Sequence, residues 1–182
     1  RSNARDLIAT SLAIERMPAV IGICRQTDDV LLNHLTSKLD DLDDMGEEIR
    51  RTLVDSPPLS LRDGGIIRDG FSKEIDMLRE TTSKGQSWFS DLEKKLRIDL
   101  EIPSLKVRMN RQIGWFIEVT KTHEDKVPEE WKRKQQMTNG SRYTTDELIQ
   151  RDDLLLTADT KVKELEYRMF RQLRDKCRGN AQ

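Results

Sequence analysis

The stretch SLKVRMNRQIGWFIEVT, residues 104–120, decides how the chain folds. Leu105, Val107 and Met109 alternate with Lys106, Arg108 and Asn110, and Trp115, Ile117 and Val119 alternate with Phe116, Glu118 and Thr120. A period of two is the mark of a strand with one buried face. Asn110 to Gly114 supplies a tight, polar, glycine-containing connection between the two runs. A third run, Lys132 to Thr138, and a fourth, Arg142 to Thr145, flank Asn139-Gly140, a dipeptide that favours hairpin turns. The spacing predicts a four-stranded antiparallel meander. In that order the Asn110–Gly114 and Asn139–Gly140 turns share the edge farthest from the supporting helices. The Thr122–Glu130 loop falls back toward those helices.

On both sides of this segment the period changes to that of a helix. Ile75, Leu78, Thr82, Gly85, Phe89, Leu92 and Leu96 step by three and four alternately, the seam of a coiled coil. Ser72 opens that helix, which runs to about Arg97. From about Asp146 to Asp175, Leu155, Ala158, Val162, Leu165 and Met169 repeat the pattern. At about 1.5 Å per residue, each helix is on the order of 40 Å long. Two such stripes separated by one insert predict antiparallel packing.

Nearer the N-terminus, Leu7, Ile8, Leu12 and Ile14 mark a helix from about Asn3 to Glu15 that Pro18 interrupts. Another runs from Asp28 through Leu31, Leu35, Leu39, Leu42, Met45, Ile49 and Leu53, weakened at Gly46 and ended by Pro57-Pro58. Leu59 to Gly70 is glycine-rich and reads as turn and short extended chain. The expected class is mainly α with a small β insertion: long antiparallel helices carrying a four-stranded antiparallel sheet. The divisions fall at residues 1–103, 104–145 and 146–182.

Composition agrees with that architecture. Charged residues make up 36% of the 182 and hydrophobic ones 35%, a poor balance for one large core but suited to exposed helices that bury a narrow stripe. Cys24 and Cys177 lie far apart without a CxxC and read as ordinary reduced thiols, and His34 and His123 stand alone, so no metal site is expected. No GxxxxGK[ST], GxGxxG, HExxH or nucleophile elbow occurs. The acidic pairs Asp40-Asp41, Asp43-Asp44 and Asp152-Asp153 are sequence neighbours on expected helices, which point apart. The segment is therefore expected not to be an enzyme. No apolar run is expected to reach the ~18 residues of a membrane span, and no signal peptide is seen. A first residue other than methionine suggests a piece of a longer protein.

Charge is uneven. Residues 104–145 hold nine basic and five acidic side chains, an excess of four, so with the chain at −1 the remainder carries −5. A basic sheet on acidic helices suits contact with phosphates, which positions a protein without reading sequence. Arg108, Arg111, Arg133, Lys134 and Arg142 are the candidate cations, and Asn110, Gln112, Thr138, Asn139 and Ser141 the candidate short polar donors. The same lysines also suit an edge strand guarded against aggregation. Trp115, Phe116, Trp131 and Tyr143 read as packing within the sheet rather than stacking on bases, which needs unpaired bases.

Several stretches carry a family resemblance. Leu61-Arg-Asp-Gly-Gly-Ile-Ile-Arg-Asp-Gly-Phe71 followed by Glu74-Ile-Asp-Met-Leu-Arg79 resembles the opening of the lever helix in MutS proteins. Ser104-Leu-Lys-Val-Arg-Met-Asn110 with Gly114-Trp-Phe-Ile-Glu-Val-Thr-Lys121 resembles their first clamp hairpin, and Arg133-Lys-Gln135, Asn139 and Arg142-Tyr143 the second. Leu165-Glu-Tyr167, Phe170 and Leu173-Arg174 are similar to the returning lever, and Arg5-Asp6-Leu7 to the start of the core segment. The chain departs from the family at Thr138, Gly140, Ser141 and Asp146.

The resemblance implies a lever-and-clamp piece that grips the duplex DNA backbone without sequence preference. It implies no cofactor in this segment, with ATP and Mg in the full-length protein, a DNA-dependent ATPase. The implied partners are a second MutS subunit and a MutL-type repair protein, with no membrane, and the implied location is cytoplasmic and nucleoid-associated. The alternative is a structural adaptor that binds another protein through its coiled helices and β head.

Overall fold

A computed structural model describes residues 3–27, 29–39 and 42–179. The acidic pair Asp40-Asp41, and Asp28 as a helix start, lie outside the described residues. Among the described residues five α-helices and one sheet follow in order: α1 Ala4–Cys24, α2 Val30–Thr36, α3 Asp43–Thr52, α4 Lys73–Asp99, β1 Lys106–Asn110, β2 Gly114–Thr120, β3 Lys132–Met137, β4 Gly140–Thr144 and α5 Asp146–Gly179. The chain is mainly helical with a four-stranded antiparallel insertion between α4 and α5, as the periods predict. Residues 1–76 with 162–182 form one compact unit and residues 77–161 a second.

In the first unit, Asn3 caps α1 through a reciprocal box with Asp6. The helix passes through Pro18 instead of stopping there. Pro18 is exposed, so water can solvate the carbonyl it strands, while Ile14 and Ile21 are buried on either side of it. The expectation that no apolar run approaches membrane-span length fails for α1, whose 18-residue window has mean hydropathy 1.6. By length and composition that helix could cross a bilayer. It also buries Ala4, Leu7, Ser11, Ile14 and Ile21 and packs on α3, and a helix of that length and composition can equally serve in a protein core.

The predicted helix over residues 28–53 is two helices, α2 and α3, interrupted before Leu42, which takes a left-handed φ of 54°. Leu31, Leu35 and Leu39 stay exposed, so that stretch of the stripe gains little from remaining helical. Gly46 lies inside α3, where a Cβ would come within 3.0 Å of Ile14, so the glycine serves helix–helix approach. The glycine-rich segment forms a 3₁₀ turn at Leu61–Asp63 and then an isolated bridge between Leu53 and Ile67. Ile66 and Ile67 are fully buried. Glu166 of α5, itself fully buried, accepts a hydrogen bond from the Ile66 N–H at 3.2 Å.

The second unit is built on residues 77–99 of α4 and 146–161 of α5. Gly85 faces Leu155 across these helices: a Cβ there would overlap a Leu155 methyl. Phe89 stacks flat on Trp115 at 3.7 Å, and Arg151 lies 5.2 Å over the Trp88 ring. The core between helices and sheet contains Phe89, Ile102, Leu105, Val107, Ile117, Val119, Tyr143, Leu148 and Leu155.

Strand order is β1-β2-β4-β3, not the meander the hairpin signals predict. The cause is the composition of β3. Lys132 to Gln136 contain no apolar side chain and all are exposed, whereas β4 is buried at Gly140, Ser141, Tyr143 and Thr144. A meander would set β3 at the centre of the sheet. The chain instead places β4 there, against β2, and leaves the polar strand at the edge, with a bulge at Lys134. The connection from β2 crosses β4 on the helix side, where Val127 and Trp131 join the core.

Candidate nucleic-acid interface

Alternation along the strands gives the sheet two unlike faces. Val107, Ile117, Val119 and Tyr143 turn toward the helices. Register places Lys106 opposite Glu118, Arg108 opposite Phe116, and Glu118 opposite Arg142 on the other face. Lys106 and Arg108 are exposed, with no charged partner among the described residues. Arg142 is held in place: Nε donates to Glu118 Oε2 at 3.2 Å, Nη1 donates to Gln135 Oε1 at 2.9 Å, and the guanidinium lies 4.5 Å over the Phe116 ring. Phe116 is thereby 3% exposed although it belongs to the outward face. Lys132 is paired with Asp146 of α5 at 2.6 Å. The result is an open surface of cations around one carboxylate, backed by a hydrophobic core.

The strand order moves the turns apart. Thr120 pairs with Gly140, while Asn110 pairs with Gly114 at the other end of the sheet. The two turns therefore do not share an edge. The Asn110–Gly114 turn lies against α5: the Trp115 N–H donates to Asp152 Oδ2 at 3.2 Å, and Asp152 fills the space beside Gly114, whose φ is 72°. The Asn110 side chain accepts from the Gln112 N–H at 2.8 Å. Arg111 and Gln112 are exposed there, on the helix-side end rather than the far one.

At the other end, Thr138 and Asn139 form the β3–β4 turn and are exposed, and the Asn139 carbonyl accepts from the Lys121 N–H at 3.0 Å. The turn is one residue earlier than the Asn-Gly signal implies. Gly140 is already in the strand, and a Cβ on it would overlap the Val119 carbonyl oxygen. This glycine permits close strand approach, not a left-handed turn.

The remaining candidates divide the same way. Arg133 sits on the edge strand 5.8 Å from the Tyr143 ring, and Lys134 at the bulge donates to the Ile113 carbonyl at 2.7 Å. Ser141 is fully buried and donates to Glu124 Oε1 at 2.6 Å, so its hydroxyl is turned away from any partner outside the chain. Trp115, Phe116, Trp131 and Tyr143 pack within the unit, as expected. Lys106 is missing from the cations that charge and turn position single out, although its alternation with Val107 puts it on the Arg108 face. Parity alone could have found it.

Among the described residues no group of three or more metal-ligating side chains occurs. Cys24 and Cys177 are half-buried free thiols. Burial, then the neighbouring Glu48, pushes the Cys177 thiol up, away from thiolate reactivity.

A helical chain interrupted by a four-stranded antiparallel sheet, with its basic residues on the outward face and edge, defines a class of α protein with a β insertion. The chain belongs to the MutS family: residues 70–161 match the model of MutS family domain IV. Among curated proteins it is similar to the DNA mismatch repair protein MutS of Halothermothrix orenii, 38% identical over 98% of this chain and 20% of that protein. That of Salinibacter ruber is 40% identical over 96% and 19%, and that of an Exiguobacterium species 40% identical over 97% and 21%. The chain spans about a fifth of the length of the curated relatives it matches.

Proposed function

We propose that this chain is the lever-and-clamp part of a MutS-type mismatch-repair ATPase and that its sheet holds the backbone of duplex DNA without reading sequence. The observation that carries this reading is the outward face itself. Lys106 and Arg108 stand exposed beside Arg142, opposite an inner face whose Val107, Ile117, Val119 and Tyr143 belong to the core, in a chain whose relatives are named DNA mismatch repair proteins. Exposed cations spread over an open sheet face suit phosphates, whose contacts position a protein without reading sequence. Arg111, Gln112, Thr138 and Asn139 border the face at its two ends and Arg133 and Lys134 along its edge, whereas Ser141 supports the turn from inside.

In this reading residues 1–103 and 146–182 form core and lever, and residues 104–145 the clamp. α4 and α5 each contribute to both compact units, which supports transmission of nucleotide state through the levers. ATP and Mg belong to a part of the full protein outside this segment, which itself carries no catalytic role. The second subunit of a DNA-encircling dimer, a MutL-type repair partner and a cytoplasmic, nucleoid-associated location complete the proposal. One observation favours an adaptor role instead: Val30, Leu31 and Leu35 are exposed on α2.

Duplex binding across a salt series separates the two. The chain should bind weakly, with a log–log slope corresponding to a few phosphates, and a variant with Arg108, Arg111, Arg133 and Arg142 changed to alanine should lose most of that affinity. Binding indifferent to salt and to these arginines would favour the adaptor.

A further inference from the structure

We infer that Glu118 is a brake on the outward face, limiting how tightly that face holds a polyanionic backbone; the inference rests on the proposed DNA contact. Glu118 is the sole acidic side chain on that face within the four strands: its register neighbours are Lys106 on β1 and Arg142 on β4. It lies between them at the centre of the sheet, about a third exposed, and takes the Arg142 Nε–H at 3.2 Å. Nothing in the packing demands a carboxylate there. Arg142 is already supported from below by Phe116 and from the side by Gln135 Oε1, and a neutral amide at position 118 could accept the same Nε–H.

What the carboxylate adds is charge. It offsets one of the three cations around it and repels an approaching phosphate from the same few ångströms over which Lys106 and Arg108 attract it. A clamp that must close on DNA and later release it gains from such an offset, because each added phosphate contact steepens both affinity and salt dependence. The position of the carboxylate beside Arg142 also makes that arginine the cation most restrained until the partner arrives.

The test is duplex binding by the whole chain across a salt series for three forms: the parent, Glu118→Gln, and Lys106→Ala with Arg108→Ala. Tryptophan fluorescence on heating checks that each is folded, since Trp88, Trp115 and Trp131 all lie in the unit that holds the sheet. Glu118→Gln should bind roughly five-fold more tightly at low salt, with a log–log slope steeper by about one, and the double alanine form should bind more weakly. A purely structural Glu118 would leave the slope unchanged. If Glu118→Gln binds no better while the double alanine form is weakened, the brake is wrong and the DNA-contact reading stands. If the double alanine form binds like the parent, or the parent does not bind, the outward face is not the contact surface and both fall.

Discussion

Glu101 occupies the left-handed region at φ 53°, just past the end of α4, where glycine is the usual residue. The Ile102 N–H closes back onto the Arg97 carbonyl at 3.1 Å, completing the helix cap around this strained position. Its carboxylate meets Lys126 at 3.7 Å, an exposed pair that contributes little. Glu101→Gly should therefore stabilise the second unit by about 1 kcal/mol, read as a raised denaturation midpoint in tryptophan fluorescence. Ser141 shows the limit of sequence reading at this scale. A serine after a turn asparagine looks like a surface donor, and only strand order reveals that its hydroxyl faces Glu124 of the crossing connection. Arg142 is similar: its place on the outward face follows from alternation, but its restraint by Glu118 and Phe116 of β2 and Gln135 of β3 comes from both neighbouring strands.

Among elements, α4, α5, β1 and β2 are legible because each carries an unbroken period. α4 and α5 begin and end within a few residues of the expected bounds, β1 and β2 form where alternation marks them, and β3 and β4 form on either side of the Asn139-Gly140 signal. Order within the sheet escapes the hairpin signals because those signals are local. The decisive clue is present in Lys132–Gln136, too polar for a central strand, and it requires comparing strands with one another. Pro18 misleads in the same way, because the burial of Ile14 beside Gly46 depends on α1 packing on α3, which no local rule contains. Gly85 is a testable case of element-level fit. Gly85→Val should destabilise the second unit by about 2 kcal/mol, because the new side chain meets Leu155. Adding Leu155→Ala should make room for it, so the double variant should lose clearly less than the sum of the two single losses. Additive losses would mean that the two positions do not meet.

For the whole molecule, family membership is legible from ordered matches spread along nearly the entire chain, and the match over residues 70–161 agrees with them. Net charge is not informative: −1 conceals a positive sheet segment within a negative remainder. The candidate contact surface is legible only in part. Charge picks out the basic residues, but a meander sets them at one far edge, whereas Arg111 and Gln112 lie at the end held by Asp152 and Thr138 and Asn139 lie at the other. The surface these groups share is the face between the two ends, centred on Arg108, Glu118 and Arg142.

Photo-crosslinking to duplex DNA asks whether that face meets the backbone, with a benzophenone amino acid placed at Arg108 on the outward face or at exposed Gln86 on α4. Salt-sensitive crosslinks are expected from position 108 and few from position 86. Equal yields from both positions, or crosslinks from position 86 alone, would show that the outward face is not where DNA is held.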